Sequence, residues 1–151
     1  MENNKQTDVL AILKLYEMRR EEHLRSARRW FYTEFSPEIA DDIAKLVLSG
    51  ENESAYYRTV TSYWEMACSF VNNGGLDEKL FSDANSEHFF IFAKLQPFLP
   101  ELRELFSDPN YNGHLEKLVM KTANVEEKLE RLRKLMTKWS NKKPLEMSEA
   151  Q

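Results

Sequence analysis

The stretch from Ser54 to Leu76, SAYYRTVTSYWEMACSFVNNGGL, constrains the fold of this chain more than any other. At about 100° per residue, Tyr56, Tyr57, Val60, Tyr63, Trp64, Ala67, Phe70 and Val71 share one broad helical face, flanked by Met66 and Cys68. That apolar arc is roughly 200° wide, against ~100° for an ordinary surface helix. A helix of this kind must be covered on more than one side. Asn72-Asn73-Gly74-Gly75 is a helix stop, because Asn and Gly tolerate the left-handed conformation that closes C-termini. Leu76 can then cover the end.

A narrow polar stripe remains on this helix: Ser54, Arg58, Thr61, Glu65, Ser69 and Asn72. Arg58 and Glu65 stand two turns apart on it. Either they line a groove that binds a ligand or partner, or each pairs with a neighbour or reaches solvent.

A chain of 151 residues suffices for one domain that buries roughly 70% of its unfolded surface. Four glycines and five prolines are too few for the tight turns of an all-β fold. The expected fold is all-α: a single helical domain over residues 1–143, a bundle of five or six helices with long first and last helices, and a flexible tail over 144–151. Net charge −4 gives nucleic acid no global attraction. Cys68 is the only cysteine, so an internal disulfide and a Cys-based zinc site are excluded, and its place favours a small buried hydrophobe. The start, MENNKQTD, is no secretory signal, and the longest apolar run, Phe89 to Ala93, falls far short of the ~20 residues of a spanning helix. A cytoplasmic setting is expected, with no transmembrane segment.

Thr7 or Asp8 can cap a first helix running to about Thr33, with Val9, Leu13, Tyr16, Arg20, His23, Ala27 and Trp30 on a heptad-like seam widened by Ile12, Leu24 and Phe31. Arg20 and His23 fall inside that face. They either pair with carboxylates such as Glu65 or form a polar site in the bundle interior. Arg19, Arg20, Arg25, Arg28 and Arg29 spread around the helix with Glu17, Glu21 and Glu22 interleaved, which suits a solvated, salt-bridged face better than a phosphate patch.

Ser36-Pro37-Glu38 reads as a helix start and Gly50 as its end. Asp77 can cap a turn to Phe81. A further helix starts near Asn85 or Ser86, carries the run Phe89 to Phe92, and is interrupted at Pro97. Pro100 opens a short helix to Phe106, with Leu102, Leu105 and Phe106 inward. From Tyr111 to Trp139, Leu115, Leu118, Thr122, Val125, Leu129, Leu132, Met136 and Trp139 follow in alternating steps of three and four. This reads as one long helix, or as two that divide at its weakest point, Thr122 and Asn124. Its seam serves either a homo-oligomer or packing against the first helix. Lys128, Arg131, Arg133, Lys134, Lys138, Lys142 and Lys143 make its end basic, which either complements a helix C-terminus or forms a basic amphipathic tail for a membrane surface or an acidic partner.

His23, His88 and His114 lack metal-ligand spacing, and no glycine-rich phosphate loop or nucleophile elbow is present. No cofactor, metal or catalytic residue is indicated. Leu15–Phe35 and Tyr56–Phe81, followed by EHFFIFAKLQPFLPELRE, resemble small uncharacterised bacterial helical proteins of the "domain of unknown function" kind. In these an aromatic-acidic core, here Tyr63-Trp64-Glu65-Met66, runs into a Gly turn and a Leu-Asp-Glu-x-Leu-Phe segment. The resemblance implies an all-helical fold and a bacterial or phage origin, but no activity. The expected function is a non-enzymatic interaction or regulatory protein that self-associates. One alternative is a ligand or enzymatic site lined by Arg20, His23, Arg58, Tyr63 and Glu65. Another is a nucleic-acid accessory role through the arginines and the basic end.

Overall fold

Helix α4 (Asn52–Asn72) is the longest element of the computed structural model, which describes residues 5–140. Tyr57, Val60, Tyr63, Trp64, Ala67, Cys68 and Val71 are buried on it. Their wide arc is covered from several sides, by α2 (Glu22–Thr33), α8 (Gly113–Val119), α3 (Ala40–Leu48) and α5 (Glu78–Ala84). Phe70 alone of the expected face is about half exposed. The helix closes as the Asn-Gly signal requires. The N–H of Gly75 donates to Phe70 O at 2.7 Å, Gly74 takes φ +80°, and Leu76 is buried over the end.

The remaining elements are α1 (Lys5–Arg19), α6 (Glu87–Leu95), a 3-10 turn (Gln96–Phe98), α7 (Leu99–Leu105) and α9 (Val125–Trp139). The described residues are thus all helical, with nine α-helices where five or six were expected. Each of the nine helices contributes to one hydrophobic cluster. No helix of the described residues is long and apolar enough to cross a membrane.

Two long helices are each divided. The first breaks at Arg20–Glu21, where the N–H groups of Arg20 and Glu21 close turns onto Glu17 O and Met18 O. The Glu21 carboxylate then caps α2, accepting from the N–H of His23 and Leu24 at 3.0 and 3.1 Å. The break separates the expected seam. Leu24, Ala27 and Phe31 of α2 are buried, whereas Val9, Leu13 and Tyr16 of α1 point outward, as do Arg20 and His23. Asp8 is no cap for α1; its carboxylate accepts from the N–H of Asp77 at 3.0 Å and ties α1 to the start of α5.

The last helix breaks at residues 120–124. Asn112 and Asn124 take φ +54° immediately before α8 and α9, an αL position that Asn tolerates. Leu115, Leu118, Val125, Leu129, Leu132 and Met136 are all buried inside the chain. Their partners are mainly α4 and α6 for α8, and α6 for α9, with α2 a lesser one. The seam that was left open for an oligomer is therefore filled within the chain. Trp139 stays 46% exposed and packs edge-on to Tyr32 and against Phe90.

Smaller corrections have local causes. Helix α3 begins at Ala40, because the Asp42 carboxylate reaches back to the N–H groups of Glu38 and Ile39 and holds 38–39 outside the helix. Leu105 lies on the solvent side of α7, while Leu102 is buried. Asp77 caps α5 and Pro97 opens the 3-10 turn, as the residue types require. The expected tail, 144–151, lies outside the described residues, as do Lys142 and Lys143.

Candidate functional site

The polar stripe of α4 faces the loop over residues 106–112 across a shallow groove of about 510 Å³. Arg58, Thr61, Glu65, Phe106, Asp108 and Tyr111 are among its walls. Most of these polar groups have structural partners. Glu65 accepts from the N–H of His114 at 3.1 Å and of Leu115 at 2.8 Å, so its carboxylate closes the start of α8. Thr61 Oγ1 donates to Tyr57 O, and the Tyr57 and Tyr111 hydroxyls meet at 2.7 Å. Arg58 is exposed, and its Nε donates to Ser54 O on its own helix. Arg58 and Glu65 share this groove without an ion pair between them.

Arg20, His23 and Tyr63 lie on another side of α4. His23 Nε2 is hydrogen-bonded to Thr59 Oγ1 at 3.0 Å, and its ring rests on Tyr56. Thr59 is about 100° around the helix from Arg58. The Arg20 guanidinium sits over the Tyr16 ring at 5.9 Å, in solvent. Tyr63 is buried, and its hydroxyl donates to Leu15 O, which fastens α1. The five candidate residues therefore divide into two groups on separate sides of α4, and no common interior site forms.

A part-buried cluster of one carboxylate and two guanidinium groups was not anticipated. Glu87, at the first turn of α6, is 7% exposed. Arg28 grips it in a fork, Nε to Oε1 and Nη2 to Oε2, both 2.7 Å. Arg19 adds a third contact at 3.3 Å and places its guanidinium 5.4 Å from the Trp64 ring. One carboxylate thus holds α1, α2 and α6 together. The sequence signal was an acid directly before an apolar run, opposite arginines that read as solvated.

His88, the next residue, is fully buried against the rings of Trp64, Phe81 and Phe89. Neither ring nitrogen has a hydrogen-bond partner. Burial, with Lys128 and Arg19 nearby, pushes its pKa down to about 4. Lys94, in the last turn of α6, donates its ammonium to Phe31 O and lies over the Phe31 and Phe35 rings. Burial lowers its pKa to about 8.

The contacts of Glu87 and Lys94 hold helices in place. Among the described residues, no cluster of three or more His, Cys, Asp or Glu side chains is placed to hold a metal ion. Among the described residues, α1 carries more exposed large apolar side chains than any other helix. Val9, Leu10, Leu13 and Tyr16 are 44, 67, 56 and 50% exposed, and Leu15 is the one buried residue of the helix. No curated protein and no solved structure matches the chain. A family described as a domain of unknown function (DUF4760) matches residues 6–122, from α1 to the turn after α8, and the chain belongs to that family.

Proposed function

We propose that this protein is a non-enzymatic interaction protein that self-associates through the outer face of α1. The observation that carries this reading is the exposure of Val9, Leu10, Leu13 and Tyr16 along one helix. Contiguous apolar surface of this kind on a small chain marks a contact site. A second copy is the occupant favoured by the pattern. Val9, Leu13 and Tyr16 recur at steps of four and three, the spacing with which one helix packs on another. The same patch can meet itself across a two-fold axis. Lys14 and Glu17, an exposed pair on this helix, supply both signs of charge for an opposing copy.

The α1 patch takes the place of the C-terminal seam, whose leucines are spent inside the chain. A single helix face is small, so the pairing is weak or transient in kind. A reducing bacterial cytoplasm is the setting we assign, supported by the solitary and buried Cys68. The rival readings have less support. The polar candidates on α4 and α2 face different sides, and Arg19 and Arg28 are engaged by Glu87 rather than presented to phosphates.

Sedimentation equilibrium over a wide concentration range tests the reading. A monomer–dimer equilibrium is expected for the wild type. Leu13→Glu is expected to abolish it without lowering the melting temperature, since Leu13 is already exposed. A monomer throughout, or undiminished association in Leu13→Glu, would refute it.

A further inference from the structure

A second feature, independent of the α1 face, is a pocket of about 270 Å³ between the end of α6, the 3-10 turn and α9. It is smaller than the ~300 Å³ at which drug-sized sites begin. Lys94 and Arg133 line it, with Ser36, Pro97, Phe98 and Met136 among the other walls, and no Asp or Glu does.

Both cations are incompletely satisfied. The Lys94 ammonium has three N–H groups and spends one on Phe31 O, near the end of α2. The two phenylalanine rings soften its burial but supply no countercharge. None of the ion pairs among the described residues includes Lys94. Arg133 donates through Nε to Glu130 at 3.2 Å and through Nη1 to Ala93 O and Gln96 Oε1 at 2.7 and 3.2 Å. Its second amino group has no acceptor among the described residues. Glu130 balances one of the two cations, so among the described residues one positive charge is left over beside a small, partly apolar cavity.

A part-buried charge with no countercharge is unfavourable, and a bound anion relieves it. The geometry points to a binding site for a small organic monocarboxylate. Its carboxylate bridges Lys94 and the free amino group of Arg133, and its apolar body lies on Pro97, Phe98 and Met136. An inorganic phosphate would satisfy the charge but leave the apolar walls without a partner.

The test is an NMR titration of the ¹⁵N-labelled full chain with benzoate, in parallel with benzamide and with inorganic phosphate. Benzoate is expected to give saturable shifts at the amides of Phe98 and Thr137, and neutral benzamide none. Lys94→Met and Arg133→Gln are each expected to weaken benzoate about tenfold, the effect of losing one charge-assisted contact. Far-UV circular dichroism checks that each variant is folded, and the wild-type titration decides the case if one is not. The proposal is overturned by no saturable shift with benzoate, by equal binding of benzamide, by phosphate binding in place of benzoate, or by unchanged affinity in both folded variants.

Discussion

Substitution of His88 by phenylalanine is expected to flatten the acid limb of the stability profile. In the folded chain the His88 ring is sealed by Trp64, Phe81 and Phe89, and its pKa falls to about 4 from a usual 6.5. The unfolded chain binds this proton near pH 6.5, and the folded chain only near pH 4. Between those values the unfolded state holds more protons, so stability rises with pH across the window. A shift of this size is worth about 3 kcal/mol, fully present above pH 6.5 and lost as pH falls to 4. Urea unfolding of wild type and His88→Phe at intervals from pH 8 to pH 4 measures it. Every other ionisable side chain is common to the two proteins, so its contribution cancels in the difference. The two curves are expected to differ by a constant packing contribution at high pH, and then to diverge by about 3 kcal/mol in favour of the variant as pH drops. Parallel curves would mean that His88 is protonated at no extra penalty in the fold, and the reasoning would fail. His88→Leu guards against a phenylalanine that packs poorly.

Glu87→Gln leaves Arg28 and Arg19 facing a neutral amide and is expected to destabilise by about 2–3 kcal/mol, below the usual range for a broken buried pair because Arg28 is one-third exposed; denaturant titration reads it. Glu65→Ala removes the acceptor for His114 N and Leu115 N and is expected to cost about 1 kcal/mol, with hydrogen exchange accelerated first in α8. The Lys94 pKa is lowered to about 8 in the fold, so the unfolded chain holds the extra proton from there to its usual 10.5, and stability should rise with pH across that interval. Lys94→Met should remove that rise. Cys68, whose pKa burial raises to about 12, is expected to resist a thiol reagent in the native chain and to react at once in urea.

The α4 element was legible because its signals are local. Aromatic residues at helical spacing and the Asn-Asn-Gly-Gly stop need no partner to be read. The apolar periodicity from Leu115 to Met136 also gave the right inward face; it runs on through 120–124, and the break there was legible only in the polar residues Thr122 and Asn124, the weak spot of the pattern. The break at Arg20–Glu21 had no local signal, because Arg and Glu are good helix formers. Its cause is tertiary. On a continuous helix Arg19 and Arg28 would sit about 180° apart and about 13.5 Å along the axis, too far to share one carboxylate. Glu87 binds both, so the helix must bend between them. The same long-range acid explains why the arginines looked solvated in sequence, and why Arg20 and His23 were misplaced into the interior.

That bend also carries a kinetic consequence. Glu87 lies 59 residues beyond Arg28 and 68 beyond Arg19, so these contacts close long loops and gain nothing until α6 has docked. The kink between α1 and α2 is then expected to form late, on the native side of the folding barrier. Weakening it should speed unfolding and leave the refolding rate nearly unchanged. Helix α1, whose other ties to Tyr63 and Asp77 also span 48 and 69 residues, is therefore expected to be fastened late and released early.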